Sequence, residues 1–142
     1  MVIVTRDTAA IAEARAAQLE SVRVAAIARI NAEVGRVREK YITDLPGQDA
    51  IYQAKEAEAA RYLAEVPETL DGYPFMAAEV GILAPTAADV AAIWIGMGAQ
   101  WRTVAAAMEG LRMAATNAVN ASDSPAEVEG HVAGFLSQME AF

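Results

Sequence analysis

The chain has 142 residues, which is enough for one domain with a buried core, and it carries a net charge of −8. Hydrophobic residues make up 55% of it, but 34 are alanine, the strongest helix former and a residue with little area to bury. The acidic balance argues against a nucleic-acid partner, which needs a basic face, and the absence of cysteine excludes disulfides and thiolate chemistry.

The charge is unevenly distributed along the chain. Residues 1–41 hold seven Lys and Arg against five acids, for +2, and the other residues hold four against fourteen, for −10. We expect a basic N-terminal helix that is attracted to the acidic remainder of its own chain or of a neighbouring copy. An ordinary solvated helix face explains the same imbalance.

A long first helix is predicted over residues 8–41, capped by Thr5 or Thr8. Met1–Thr5 is either a short strand or a frayed lead-in to this helix. At 1.5 Å per residue this helix would be about 50 Å long, which exceeds the width of a 142-residue globule. Part of it is therefore expected to pack on another polypeptide. The apolar residues assigned to that interface are Leu19, Val22, Ile27, Ile30, Val34, Val37 and Tyr41.

The middle of the chain predicts two shorter helices. Residues 44–47 (DLPG) are a turn signal, and a helix over 49–66 follows, capped by Gln48 or Asp49 and stopped by Pro67. A short helix is predicted over 75–80, with Pro74 at its first position.

Two further helices complete the prediction. Thr86 and Asp89 form a capping pair for a long helix over 87–120, and Ser124 caps a last helix over 125–141. The fold class is therefore all-α, an antiparallel helical bundle in a single domain of residues 1–142. The helix over 8–41 is a candidate arm for oligomerisation or partner binding.

The sequence shows no arrangement typical of an enzyme, a cofactor site or a metal site. His131 is the only histidine, and Glu127 one turn before it does not complete a ligand set for zinc or a di-iron centre. We expect His131 to be either a surface residue or one whose ring nitrogens are satisfied by neighbouring groups, and we expect no catalytic, cofactor-binding or metal-binding residues. The most apolar window, residues 90–99, is about half of a bilayer span, so we expect no membrane partner and no signal peptide.

Gly96 and Gly98 lie inside the predicted helix over 87–120, where each costs about 1 kcal/mol relative to alanine. Close approach of another backbone, or room for an indole, would compensate that cost. Trp94 and Trp101 flank the glycines, so they are added to the predicted interface, and a ligand groove beside them is the alternative.

Several segments together resemble a known protein family. They are residues 52–59 (YQAKEAEA), residues 73–82 (YPFMAAEVGI), a long alanine-rich helix with Trp101, and residues 124–128 (SPAEV). Their order is similar to that of a small helical domain of the tail, tail-fibre and tail-fibre assembly proteins of tailed bacteriophages. The resemblance covers residues 20–135 and consists of compositional motifs.

The resemblance implies a non-enzymatic structural or assembly component of a phage tail, associated with a fibre or the baseplate. The expected partners are other copies of the chain, with a trimer favoured by the three-fold symmetry of phage fibres, or another tail protein. The expected location is the virion tail, or the host cytoplasm during assembly. The alternatives are a helical adaptor or regulator of the host cytoplasm, and a small-ligand binder at the Trp94/Trp101 groove.

Overall fold

The computed structural model describes residues 7–42, 45 and 47–142, and this part of the chain contains five α-helices and no β-strand. The predicted all-α fold class with two unusually long helices is confirmed. The predictions for Met1–Thr5, the cap at Thr5, and two of the four residues of the predicted 44–47 turn lie outside the described residues. The helices are α1 (Thr8–Arg38), α2 (Gln48–Glu65), α3 (Pro74–Glu79), α4 (Ala87–Ala121) and α5 (Pro125–Met139).

Polar side chains begin three of these helices. The carboxylate of Asp7 accepts hydrogen bonds from the backbone amides of Ala9 and Ala10, so Asp7, and not Thr8, caps α1. The Thr86 hydroxyl accepts from the Asp89 amide at 3.1 Å and donates to its carboxylate at 2.6 Å, which is the predicted capping pair of α4. At α5, Ser124 accepts from the amide of Glu127.

Helix α2 is bounded differently from the prediction. Its N-cap is Gly47, which has φ 81°, so neither Gln48 nor Asp49 is the cap. Its C-cap is Val66, which has φ 44° and donates its amide to the carbonyl of Tyr62 at 2.8 Å. Both ends therefore rely on left-handed backbone, and only one of them has the glycine that this conformation favours.

The intrachain contacts define two compact units. Unit 1 is Met1–Arg38 with Ala107–Phe142, and unit 2 is Glu39–Ala106, so α4 contributes its first part to unit 2 and its last part to unit 1. A single domain over the whole chain stays a prediction.

Unit 1 is built from α1, α5 and the last part of α4. Arg23 of α1 reaches the carbonyl of Ser122 and Arg29 reaches Glu129, so α1 and α5 run in the same direction. Arg112 of α4 reaches Asn31, so this part of α4 runs opposite to both. The buried apolar side chains of unit 1 are Ala26, Ile30, Val37, Met108, Ala115, Val119, Val128, Val132, Phe135 and Met139.

Unit 2 is built from α2, α3 and the first part of α4. Its core cluster consists of Ala59, Tyr73, Met76, Val90, Ala91 and Trp94. Tyr62 meets the Tyr73 ring edge-on, with ring centroids 5.9 Å apart, which is a favoured aromatic geometry.

Candidate interaction surface

The predicted interface residues of α1 lie mostly on its inner side. Ile30 and Val37 are fully buried within unit 1, where they form part of its core. Four others are partly buried: Leu19, Val22, Ile27 and Val34. A partner could reach Ile30 or Val37 only by displacing the unit's own helices, so the structure gives these two residues an intrachain role.

The three aromatic residues assigned to the interface all lie in unit 2. Tyr41 and Trp101 are both partly buried, and their rings lie 6.4 Å apart at an angle of 38°. Trp94 is buried in the core of the unit, and its indole N–H donates to Glu79 at 3.2 Å. The structure therefore brings Tyr41 and Trp101 together and gives the Trp94 indole partners within its own chain.

The most exposed part of α1 is its N-terminal segment, Thr8–Gln18, in which every residue is exposed on all sides of the helix. At 1.5 Å per residue this segment is about 16 Å long, about one third of the length of α1. Its only large apolar residue is Ile11, which is 38% exposed. The segment buries little surface that could stabilise it, and short isolated helices are marginal in water.

The basic residues of α1 that lie beside α5 pair with acceptors within unit 1. Nη1 of Arg29 lies 2.9 Å from both carboxylate oxygens of Glu129, and Nη2 of Arg23 donates to the Ser122 carbonyl at 2.6 Å. The Arg29–Glu129 ion pair therefore joins the basic N-terminal helix to the acidic remainder within one chain. Because Arg29 and Glu129 are both substantially exposed, their ion pair contributes little stability.

A polar network ties α2 to α3 and α4 in unit 2. Glu79 accepts from the ammonium group of Lys55 and from the indole of Trp94. The same ammonium group lies 5.5 Å from the centre of the Trp94 ring, within cation–π range. The shared carboxylate of Glu79 explains why a lysine and an indole lie side by side in this region.

Glu58 is a buried carboxylate that the sequence analysis did not single out. It is 7% exposed, and its oxygens accept from the backbone amide of Met76 at 2.7 Å and of Phe75 at 3.4 Å. These amides belong to the first turn of α3, so Glu58 of α2 caps a helix that comes 16 residues later in the chain. Nothing in the local pattern of α2 signals this role.

Tyr73 is the N-cap of α3, and its hydroxyl has the clearest pKa shift in unit 2. Its hydroxyl donates to the carboxylate of Glu65, and the guanidinium of Arg61 lies 4.4 Å from the centre of its ring. The hydrogen bond to Glu65, followed by desolvation and the charge of Glu65, raises the pKa of Tyr73 above its ordinary value of 10.0, while Arg61 opposes the shift. Arg61 also donates to the carbonyl of Gly72, which fixes the turn before α3.

Gly96 and Gly98 of α4 have different surroundings, and neither makes room for an indole or another backbone of the described chain. A methyl group at Gly96 would meet no atom within 4 Å, whereas one at Gly98 would lie 2.5 Å from Oε2 of Glu56. Glu56 in turn pairs with Arg102. Gly98 is therefore explained by the carboxylate that crosses it, and nothing in unit 2 explains Gly96.

His131 is exposed on α5, as expected of a surface residue, and Glu127 accepts from the backbone amide of Asp123. Within residues 7–42, 45 and 47–142, no three His, Asp or Glu side chains are grouped so that they could hold a metal ion. None of the helices in this part of the chain has the length and apolarity needed to cross a membrane.

Comparison with protein families, with curated protein sequences and with solved structures gave no significant match.

Proposed function

We propose that this protein is a non-enzymatic structural or assembly component of a bacteriophage tail, associated with the fibre or baseplate, and that α1 binds another polypeptide. The observation that carries the proposal is the N-terminal segment of α1, Thr8–Gln18, which continues the helix without a break and has every residue exposed. An alanine-rich helical segment gains its stability from a partner that covers it. The resemblance of residues 52–59, 73–82 and 124–128 to tail-associated helical domains supports the choice of partner.

The composition of this segment indicates the kind of contact that it makes. Alanine allows the backbones of two helices to approach closely, and the only charged residues from Thr8 to Gln18 are Glu13 and Arg15. A helical partner that presents small or apolar side chains therefore fits better than a nucleic acid or a strongly charged surface.

The test is to look for the chain in tail particles and then to remove the contact. Mass spectrometry of virions purified from the phage or prophage that encodes the sequence should detect the polypeptide in the particle or in tail assembly intermediates. Pull-down with the fibre and baseplate proteins of the same phage should capture one of them. Ile11→Asp should weaken that capture about tenfold or more, because it places a charge on the contact.

The control is His131→Asp, which also adds an acid to an exposed helix position but lies on α5. It should leave the capture unchanged. Absence of the polypeptide from particles and intermediates, together with no binding to any tail protein, would rule the proposal out.

A further inference from the structure

We draw no further inference here: the strongest candidate, the exposed apolar turn between α3 and α4 that carries Ile82 and Leu83, is fixed by backbone hydrogen bonds to Glu79, but nothing in the part of the chain that the structure describes shows what covers it.

Discussion

At the scale of single residues, the backbone of Val66 is the least expected feature of the chain. It is the one non-glycine residue with positive φ in the part of the chain that the structure describes, and its side chain is 74% exposed. A left-handed conformation costs a β-branched residue about 1–2 kcal/mol, and exposure means that packing does not offset this cost. Sequence reasoning placed the end of α2 correctly through Pro67, but proline reveals only where the helix stops and not how.

We expect Val66→Gly to raise the free energy of unfolding by about 0.5–1 kcal/mol, since the relief of strain exceeds the added chain entropy of glycine. Urea unfolding measures the change. Val66→Ala, which keeps Cβ, should give much less. A destabilised Val66→Gly protein would show that the valine side chain contributes more than its exposure indicates.

The glycine pair in α4 offers a matched comparison. Gly96→Ala should stabilise the protein by about 1 kcal/mol, because alanine is the better helix former and its methyl group meets nothing within 4 Å. Gly98→Ala should give less, because the new methyl group displaces the carboxylate of Glu56 from Arg102, an exposed pair worth about 0–1 kcal/mol. Thermal unfolding of the two variants compares them directly, and an equal gain would mean that Glu56 moves at no cost.

Because the pKa of Tyr73 is raised in the folded chain, we expect the protein to lose stability at alkaline pH. Because the hydrogen bond to Glu65 and burial raise the pKa of Tyr73 in the folded chain, this residue's contribution is complete below its ordinary pKa of 10.0. The contribution is lost as the pH rises through the higher folded pKa. Urea unfolding from neutral pH to above 10.0 should show this decline in the natural chain, and Tyr73→Phe should show a shallower one. Tyr62→Phe, which changes the ring packed against Tyr73, is the control and should keep the steep decline.

At the scale of helices, local signals carried most of the prediction. The Thr86–Asp89 pair, Ser124 with Pro125, and Pro74 each mark a helix start that the structure has at the same place or within one residue. The first helix ends at Arg38, three residues before the predicted end at 41. The prediction followed the apolar repeat, which continues to Tyr41 beyond the last residue of the helix. Local signals did not identify Glu58 as a cap. Glu58 lies in α2 but caps α3, and neither helix carries a sequence pattern that indicates such a contact.

Removal of the Glu58 cap should lower the free energy of unfolding of unit 2. Glu58→Ala leaves the amides of Phe75 and Met76 without their acceptor in a buried place, for a loss of about 1–3 kcal/mol. Glu58→Gln keeps one acceptor oxygen and should lose less. Fluorescence of Trp94, which lies in the same core, reports the unfolding. Equal stability of Glu58→Ala and the natural chain would exclude a capping role.

At the scale of the whole molecule, the chain forms two compact units, which the sequence did not reveal. No linker marks the boundary between Ala106 and Ala107, because α4 runs without interruption from unit 2 into unit 1 there. The pairing of α1 with α5 across almost the whole sequence is likewise a matter of tertiary packing. Helical periodicity identifies an apolar face but not the helix that covers it.

Because the two units have separate cores, we expect a substitution in one core to destabilise mainly the unit that contains it. Phe135→Ala should destabilise unit 1 by about 3–5 kcal/mol and Met76→Ala should destabilise unit 2 by about 2–5 kcal/mol, since both side chains are buried. Hydrogen exchange should then accelerate mainly in α1 and α5 for the first variant and in α2 and α3 for the second. Equal acceleration in all helices for both variants would mean that the units open as one.

Because unit 1 combines the two ends of the chain, part of its core stays uncovered during translation. Arg29 and Glu129 are 100 residues apart, so α1 leaves the ribosome long before α5 exists to cover Ile30 and Val37. At about 5–20 residues per second, translation keeps these side chains waiting for about 5–20 s, a long time compared with the collapse of a small domain. In that interval the apolar side of α1 that carries Ile30 and Val37 is accessible to other molecules. A chaperone, or a copy of the chain made earlier on the same messenger RNA, could bind it before α5 covers it.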